Sequence, residues 1–374
     1  MRVVALYALA GVGHQRAAQA VQAAAQARGH HAQTHDALEY TNLFTRWLYP
    51  RLYLFLISWA PALWGWGYLW LDARWQWRPI ARLRRLVNGC VAGRLSRWLI
   101  AEQPDVVCTT HFLPAEVVAS LRRDGRLRAR LIVAVTDLHP HAFWIVPGAD
   151  HYAVASEGTR QTLIARGVAA ERITVTGIPV DPRFAALPSS SAARARLQLP
   201  IDRPVALLTG GGFGVGPIRD IVRRVVARDE ARGRRLCLAV VCGHHPSLVR
   251  ALERLSVPRE VTLRVFGFTE EMPSLMAASD VLVTKPGGLT VSEALAVGLP
   301  MILYGTIPGQ EAHNEQFLLE QGVAVVAERP RAVADALAAW LRDPAQVDAM
   351  RRRMAVLQRP HAALDLTDRL IASP

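Results

Sequence analysis

The sequence predicts an α/β protein with two doubly wound, Rossmann-like domains, each a parallel sheet covered by helices. Short apolar runs alternate with stretches of helical periodicity along the whole chain, and this alternation is typical of strand–helix–strand units. Glycines follow several of these runs, as they do where a strand turns into a helix. A segment rich in proline and serine separates the two halves, and 374 residues are enough for two domains of ordinary size.

Nine apolar runs are the clearest strand candidates, because turn residues bound them and helical patterns follow them. They are Val3–Leu9, Val106–Thr109, Leu131–Val135, Tyr152–Ala155, Val205–Thr209, Leu236–Val241, Val261–Val265, Val281–Thr284 and Met301–Tyr304. Hydrophobic periodicity lapses between Val180 and Pro204, where prolines and serines cluster. We therefore expect a first domain of residues 1–199 and a second of residues 200–374, with the last helix able to pack back on the first domain.

Composition narrows the classes of partner. The chain has 44 Lys and Arg residues against 31 Asp and Glu residues, a formal net charge of +13. This charge favours an anionic partner such as a nucleotide, an anionic membrane or a nucleic acid. The four cysteines form no C-x-x-C pair, so they predict no metal site and fit a reducing, cytosolic compartment. The first residues read as a strand and not as a signal peptide.

One stretch departs from the alternating pattern. Residues 52–71 carry no formal charge, and residues 47–77 hold seven of the ten tryptophans. Residues 73–101 then contain seven arginines and no acid. Aromatic side chains beside arginines are typical of a surface that lies in the membrane interface and meets anionic lipids. The residues that we expect at this surface are Trp59, Trp64, Trp66, Trp70, Arg74 and Arg78.

Two alternatives stay open for the same stretch. Twenty uncharged residues are long enough for a spanning or re-entrant helix. However, Pro61 falls within the run, and its aromatic residues are spread along it instead of lying at its ends. A buried hydrophobic hairpin covered by charged helices is the other alternative.

The first glycine-rich loop directly follows the strand candidate Val205–Thr209. It reads Gly210-Gly211-Gly212-Phe213-Gly214-Val215-Gly216-Pro217 and leads into a helical pattern near Ile218. Such a loop presents backbone N–H groups and the positive end of a helix at one point, which suits a diphosphate. It lacks the Gly-Lys-Ser/Thr ending of a Walker loop. A tight structural turn is the alternative.

A second glycine pair lies between the strand Val281–Thr284 and an expected helix Thr290–Val297. Gly287 and Gly288 allow a ligand close to the backbone, while Glu293 can accept from two vicinal hydroxyls with its two oxygens. A ribose fits this pattern. Lys285, the only lysine of the chain, stands at the same turn. The alternative for Glu293 is an ordinary solvated helix residue.

A third loop follows the strand Met301–Tyr304 and opens into a helix. Gln310, Glu311 and Asn314 are spaced to share a helix face. Amide and carboxylate groups can orient the hydroxyls of a polyhydroxylated ligand. A plain helix N-terminus with a favourable acid is the alternative.

These motifs together resemble the UDP-sugar half of the GT-B glycosyltransferases, two-domain enzymes whose domains face a cleft. The resemblance is to the family that contains monogalactosyldiacylglycerol synthases, bacterial diacylglycerol glucosyltransferases and the lipid-linked N-acetylglucosamine transferase of peptidoglycan synthesis. In the first half, Gly11-Val12-Gly13-His14 resembles the family's N-terminal glycine loop, and Val135-Thr136-Asp137 and Gly177-Ile178-Pro179-Val180 resemble its later landmarks.

The resemblance implies a role for each motif. Glu293 holds the ribose of a UDP-sugar, and Phe268 lies beside the uracil. Gly13, next to His14, is assigned to the acceptor. The diphosphate lies near Gly210, Gly211, Gly212, Lys285, Gly287 and Gly288, and the transferred sugar contacts Gln310, Glu311 and Asn314.

The chemistry points to a base in the first domain. Transfer of a sugar to a hydroxyl needs a group that takes the hydroxyl proton and electrostatic relief for the departing diphosphate. His14 follows a strand and a glycine turn, and an imidazole titrates near neutrality; an ordinary loop histidine is the alternative. Asp137 either orients His14 or is itself the base, unless it is only a helix cap. No D-x-D motif occurs, so no metal or other cofactor is expected.

The expected activity is therefore transfer of a hexose, with inversion, from UDP-glucose or UDP-galactose to diacylglycerol, by an enzyme bound peripherally to the cytoplasmic face of an anionic membrane. A polyprenyl-type or other lipid acceptor is the alternative within this class. A noncatalytic, nucleotide-dependent protein that binds membranes or nucleic acid is the alternative from another class. Nucleic acid is not favoured, because the tryptophans of the first half form one uncharged run instead of alternating with basic residues.

Overall fold

The computed structural model describes residues 1–9, 11–42, 46–48, 51–52, 55–56, 59–74, 92–227 and 235–372. The chain forms two compact units. Unit 1 comprises Met1–Pro182, Ile307–His313 and His361–Pro374, and unit 2 comprises Arg183–Thr306 and Asn314–Pro360. The predicted fold class is confirmed, because each unit contains a six-stranded sheet in which all pairs of neighbouring strands are parallel.

The sheet of unit 1 has the strand order β2-β1-β3-β4-β5-β6. Its strands are β1 Arg2–Tyr7, β2 His31–Asp36, β3 Val106–Thr109, β4 Arg130–Ala134, β5 His151–Val154 and β6 Ile173–Val175. Among the described residues, the helices that connect these strands or lie between them in the chain are α1 Val12–Ala27, α2 Pro61–Arg74, α3 Gly93–Glu102, α4 Phe112–Arg123 and α5 Glu157–Ala165. Short 3-10 helices span Ala37–Tyr40, Ala142–Trp144 and Ala170–Arg172.

The sheet of unit 2 has the order β12-β11-β10-β7-β8-β9. Its strands are β7 Val205–Thr209, β8 Leu236–Val241, β9 Val261–Phe266, β10 Val281–Thr284, β11 Met301–Leu303 and β12 Ala324–Val326. The helices are α6 Ser190–Arg196, α7 Ile218–Ala227, α8 Pro246–Glu253, α9 Met272–Ala277, α10 Gly288–Val297, α11 Gln310–Glu320, α12 Pro330–Arg342 and α13 Pro344–Met354. Helix α11 begins in unit 1 and continues in unit 2.

Continuous apolar runs form the central strands because helices cover both faces of each sheet. Every residue of β3, β7, β8 and β10 is buried. In unit 1, one core cluster includes Leu6, Val107 and Leu131, and a second includes Ala5, Cys108 and Ile132. Alternate residues of each strand therefore pack into opposite layers, as the strand period of two requires.

The first segment of unit 1 ends at Pro182, earlier than the expected boundary after residue 199. The reason is that α6 packs in unit 2. There Arg194 donates to the Asp280 carboxylate at 2.8 Å and to the Ala278 carbonyl at 2.8 Å. Residues 183–199 thus belong with unit 2, although their proline-rich and serine-rich composition resembles that of a linker.

The C-terminal residues 361–374 belong to unit 1, an arrangement that the sequence analysis allowed for. Helix α14, Ala362–Leu366, and a π-helical turn, Thr367–Ile371, pack against α1. Leu366 and Ile371 are buried in the same cluster as Val21 of α1. The Arg28 guanidinium and the Asp368 carboxylate add an exposed ion pair at the edge of this contact.

The aromatic stretch forms helix α2 where the structure describes it. The helix begins at Pro61, whose missing N–H is harmless in the first turn, and has 14 residues. In the described portion of the chain, no helix combines the length and hydropathy needed to cross a membrane.

Candidate active site

His14 lies in the first turn of α1, directly after β1 and next to Gly13, with a half-buried side chain. Its Nδ1 lies 2.7 Å from the carbonyl oxygen of Thr110 and 3.1 Å from Oγ1 of Thr136. A carbonyl can only accept a hydrogen bond, so Nδ1 carries the proton and donates it. The lone pair of the neutral ring is therefore on Nε2, the atom that can take a proton from a substrate.

Thr110 makes two hydrogen bonds with His14, one to its backbone and one to its side chain. Its hydroxyl donates to the His14 carbonyl at 2.8 Å, while its own carbonyl accepts from the imidazole. Thr110 follows β3, and its N–H continues the pairing with β1 by donating to the Leu6 carbonyl at 2.9 Å. The parallel register of the two strands thus fixes the ring.

A second histidine lies against His14. The ring centroids of His14 and His111 are 4.8 Å apart in an edge arrangement. His111 caps α4, where its Nδ1 accepts from the Leu113 N–H at 3.1 Å. Burial and the nearby His14 hold the pKa of His111 well below its ordinary value. Burial also lowers the pKa of His14 to about 4, although its bond to the Thr110 carbonyl opposes the shift. Both rings are neutral at pH 7.

Asp137 lies three residues after β4 and is buried. One carboxylate oxygen accepts from the Trp144 indole N–H at 2.6 Å, and the other accepts from the side-chain amide of Gln310. Burial raises the pKa of Asp137 to about 7, and the two donors oppose this rise. A carboxyl group with this pKa changes charge near neutrality.

The structure does not show the direct Asp137–His14 bond that an orienting role would use. Thr110 and Thr136 hold the imidazole, and both carboxylate oxygens of Asp137 have other donors. The two groups share Trp144 as a neighbour, because the His14 and Trp144 ring centroids are 6.3 Å apart. Any effect of Asp137 on His14 is therefore indirect.

Residues 307–313 belong to unit 1, whereas the sequence analysis expected them in the second domain. Gln310 accordingly meets Asp137. Glu311 accepts from the Ile307 N–H at 2.9 Å and so closes the loop before α11. Contacts of Gln310 and Glu311 with a sugar stay predictions.

In unit 2, the glycine loop 210–217 is folded tightly onto the loop after β8. A Cβ on Gly214, whose φ is +61°, would overlap the Cys242 carbonyl oxygen, and the His244 N–H donates to the Gly212 carbonyl at 2.9 Å. At Gly214, therefore, the fold requires a glycine, as expected for the tight structural turn that is the alternative for this loop. At Gly211 a Cβ would meet open space, so the room beside the backbone there suits a ligand.

The N-terminus of α10 is the better of the two expected anion sites. Gly287 precedes the helix without a side-chain cap, and the first turn contains no acid, so the first N–H groups lack intrahelical partners. Helix α7, after the other loop, has Asp220 in its first turn, which competes with an anion for the helix end. Lys285 and Glu293 are half-buried beside Gly287 and Gly288, before and within α10.

Asn314 and Phe268 occupy defined places in unit 2. Asn314 is fully buried and donates to the Pro286 carbonyl at 2.9 Å, which ties α11 to the turn before α10. Phe268 is 42% exposed and stacks on His244 with a centroid distance of 4.0 Å and an interplanar angle of 16°. The sequence analysis gave His244 no role. In the structure, its ring supports the Phe268 ring, which is expected to lie beside uracil.

Helix α2 separates the expected membrane residues into two groups. Trp59, before the helix, is 79% exposed and Trp66 is 65% exposed, and Trp70 is also exposed. Trp64 is half-buried, with its ring 6.3 Å from that of Tyr68. Arg78 lies outside the described residues, and only the backbone of Arg74, at the end of α2, is described.

Solved structures share this fold over nearly the whole chain. MurG from Acinetobacter baumannii superposes with a TM-score of 0.61 at 15% identity, covering 100% of this chain and 99% of that one. The UDP-GlcNAc 2-epimerase from Neisseria meningitidis, bound to UDP-GlcNAc, has a TM-score of 0.61 at 13% identity and full coverage of both chains. The calicheamicin glycosyltransferase CalG4 has a TM-score of 0.58 at 14% identity, covering 99% and 98%.

Two family models match the sequence: monogalactosyldiacylglycerol (MGDG) synthase over residues 14–180, and glycosyl transferases group 1 over residues 233–356. With the two doubly wound sheets, these matches define a glycosyltransferase of the GT-B fold class. The processive diacylglycerol beta-glucosyltransferase of Bacillus cytotoxicus is 32% identical over 74% of this chain and 69% of its own. That of Bacillus cereus strain AH187 is 31% identical over 75% and 70%. The chain belongs to the family of the processive diacylglycerol β-glucosyltransferases.

The ionisation of Asp137 predicts an unusual pH dependence of stability. Its pKa is raised in the folded state, so the folded protein binds the proton more tightly than the unfolded chain. The resulting stabilisation is present below about pH 4 and is lost as the pH rises to about 7. We predict that Asp137→Asn removes a fall of at least about 1 kcal/mol in the free energy of unfolding across this range, measured by urea unfolding at a series of pH values.

Trp144→Phe provides the matched variant, since it keeps an aromatic ring but removes the N–H that donates to the Asp137 carboxylate. The pH range of the stability loss should then move upward, because the indole N–H lowers the pKa of Asp137. An unchanged pH dependence in Asp137→Asn would show that this carboxyl does not titrate in that range.

Proposed function

We propose that this enzyme transfers glucose from UDP-glucose to the free hydroxyl of diacylglycerol, with inversion, while bound peripherally to the cytoplasmic face of a membrane. The printed names of the Bacillus relatives support the acceptor and the sugar. The fold neighbours crystallised with UDP-GlcNAc or UDP-glucose support a UDP-sugar donor. The free, buried cysteines Cys108, Cys237 and Cys242 agree with a reducing compartment.

The observation that carries the proposal is the neutral imidazole of His14. Its Nδ1 proton is committed to a backbone carbonyl, so Nε2 keeps its lone pair. A low pKa in the free enzyme keeps the ring unprotonated across the physiological range. An oriented and unprotonated base is what deprotonation of an alcohol requires.

The proposed reaction is a single displacement. Nε2 of His14 takes the proton of the lipid hydroxyl as its oxygen forms a bond to the anomeric carbon of glucose. The bond between that carbon and the diphosphate oxygen breaks, and its electron pair leaves with UDP. One displacement inverts the anomeric centre, so the α-linked donor gives a β-glucoside, in keeping with the name of the relatives.

The donor is assigned to unit 2. Glu293 is proposed to accept from the ribose hydroxyls and Phe268 to lie beside uracil. The N-terminal N–H groups of α10 and the Lys285 ammonium would stabilise the charge that develops on the leaving diphosphate. We propose that these groups act without a metal ion, because the sequence has no D-x-D motif.

The exposed face of α2 is proposed to insert into the membrane interface. Leu63, Trp66, Leu69 and Trp70 are all exposed on this one helix. Their combination of apolar surface and indole rings is typical of interfacial helices. The proposal commits to a lipid surface because the acceptor itself resides in one.

The direct test incubates the purified protein with radiolabelled UDP-glucose or UDP-galactose and vesicles that contain diacylglycerol. We expect label from UDP-glucose in a β-linked glycosyl diacylglycerol, because the relatives are glucosyltransferases. Addition of EDTA should leave the rate unchanged. Labelled galactolipid alone would overturn the sugar assignment, and label found only when diacylglycerol is replaced by a polyprenyl phosphate would overturn the acceptor.

Substitution of His14 tests the base. His14→Ala should reduce turnover by about 10²–10⁴, the usual contribution of a general base, with UDP binding nearly unchanged because the donor is assigned to unit 2. We propose that the Asp137 carboxylate favours the imidazolium formed in the reaction, so the wild-type rate should fall as the pH decreases through about 7, where Asp137 becomes protonated. Asp137→Asn should turn over more slowly but retain its rate down to the titration of His14 near pH 4.

This pH profile distinguishes the two candidates. If Asp137 were the base, Asp137→Asn would lose as much activity as His14→Ala, and the fall near pH 7 would remain in His14→Ala. The double variant should lose little more than His14→Ala alone, since the two groups serve one step. Near-normal turnover in folded His14→Ala would move the base assignment to Asp137.

The membrane surface is tested by removing the exposed indoles. Trp66→Ser combined with Trp70→Ser should weaken binding to phosphatidylglycerol vesicles by at least about tenfold, because two aromatic side chains lose their apolar burial. Leu319→Ser with Val356→Ser is the matched control, since it removes two exposed apolar side chains from unit 2. Equal vesicle binding by both double variants, measured by flotation, would show that α2 does not carry the contact.

A further inference from the structure

Helix α2 has an inner face of a different character from its exposed one. Gly65 and Tyr68 are buried, and Asp72 is half-buried on the same face, at spacings of three and four residues. The exposed positions Leu63, Trp66 and Trp70 lie on the other side. An acid in so apolar a helix needs a strong partner.

Asp72 is bonded to two different parts of unit 1. Its carboxylate accepts two bonds from the Arg166 guanidinium, at 2.6 and 2.9 Å, and a third from the Ala142 N–H at 2.7 Å. These bonds lower the pKa of Asp72 even though burial opposes the shift. A bidentate arginine–carboxylate pair fixes the relative orientation of the two groups as well as their distance. The Arg166–Asp72 pair therefore holds α2 in one orientation.

His141 adds a tie from the other side. Its Nε2 lies 2.8 Å from the Tyr68 carbonyl and therefore donates, while its Nδ1 accepts from the Phe143 N–H at 3.0 Å. Its ring centroid lies 4.2 Å from that of Tyr68. The short helix Ala142–Trp144 is thus bound to α2 at its first residues.

This short helix ends at Trp144, whose indole donates to Asp137. Three bonded steps therefore connect the helix with the exposed indoles to the catalytic region: Asp72 to Ala142, Ala142 along the chain to Trp144, and Trp144 to Asp137. The other donor to Asp137 is Gln310, and the residues just before it pack against α2. A Cβ on Gly65 would lie 2.8 Å from Cβ of Pro308, and one on Gly309 would lie 3.0 Å from the Tyr68 ring, just before Gln310.

We propose that Asp72 is a positioning residue: by binding Arg166 and Ala142 it seats helix α2 so that Trp144 and Gln310 both remain on the Asp137 carboxylate. The lipid-facing helix and the carboxylate are then parts of one assembly. The kinetic part of this inference rests on the proposed function, whereas its structural part does not.

The charged and titratable groups around the assembly are few in the described structure. Asp72 is faced by Arg166, the residue after α5, and by His141, and its charge also reaches His139 and His313, whose rings are 4.6 Å apart. Burial holds the pKa values of these three histidines below normal. Asp137 is faced by the neutral donors Trp144 and Gln310.

The first test compares two aspartates that make similar bonds. Asp150 accepts from the Arg122 guanidinium and from the Leu131 N–H, with a side-chain exposure of 32% against 24% for Asp72. Asp72→Asn should lower kcat/KM for diacylglycerol in vesicles at least about tenfold, the scale of a small misplacement of catalytic groups. Asp150→Asn should leave it within about twofold, although both variants lose a comparable ion pair.

The second test needs no activity. Loss of the Trp144 bond raises the pKa of Asp137, so in Asp72→Asn the pH at which stability is lost should move upward by about one unit. Asp150→Asn should not move it. Adding Trp144→Phe to Asp72→Asn should give no further shift, because both substitutions remove the same bond.

These readouts separate the two hypotheses. Suppose that the pH at which stability is lost moves upward in Asp72→Asn, but that the wild type transfers no glucose. This outcome would support the positioning role and reject the proposed function. Equal behaviour of Asp72→Asn and Asp150→Asn in both assays would overturn the positioning role.

Two glycines of α2 provide an independent check. A Cβ at Gly67 meets nothing within 4 Å, whereas a Cβ at Gly65 overlaps Pro308. Gly65→Ala should therefore displace the segment before Gln310 and shift the pH of unfolding, whereas Gly67→Ala should not. The same response from both variants would contradict the seating of residues 308–310 on α2.

Discussion

The hydrogen bond from His14 Nδ1 to the Thr110 carbonyl is the constraint on which the candidate site in unit 1 depends. A backbone carbonyl cannot titrate or change its role, so it fixes the tautomer of the imidazole at every pH at which the ring is neutral. The bond exists because β1 and β3 are neighbours in register, with Leu6 opposite Thr109. The fold itself thus aims Nε2, and no acidic partner is needed.

The central strands could be predicted from the sequence, whereas three of the four edge strands could not. Strands β3, β7, β8 and β10 begin and end at the expected residues, because burial on both faces requires a continuous apolar run. The strands missed by the sequence analysis were β2, β6 and β12. Each lies at an edge of its sheet; β2 reads His-Ala-Gln-Thr-His-Asp, and the other two have three residues each. An edge strand needs little hydrophobicity, so its pattern carries little signal.

The same distinction applies to the site. His14 and Asp137 stand after apolar strands, where a polar residue is conspicuous in the sequence. No sequence pattern marks Thr110, Thr136 and Trp144 as neighbours of His14 or Asp137, and their role follows from the strand order β1-β3-β4, which the chain order does not reveal. The boundary after residue 199 failed for a related reason: composition identified a linker, but the contacts of Arg194 decide where those residues pack.

Burial acts on His14 and Asp137 through one physical cause with opposite results. Removal from water penalises the imidazolium and the carboxylate alike, so it lowers the pKa of His14 to about 4 and raises that of Asp137 to about 7. Their usual order is thereby inverted. The imidazole is available as a base throughout the neutral range, and the carboxyl becomes the group whose charge varies there. The donors from Trp144 and Gln310 lower the pKa of Asp137 and so increase its ionised fraction near neutrality. Their placement therefore sets how much negative charge this carboxyl carries around pH 7.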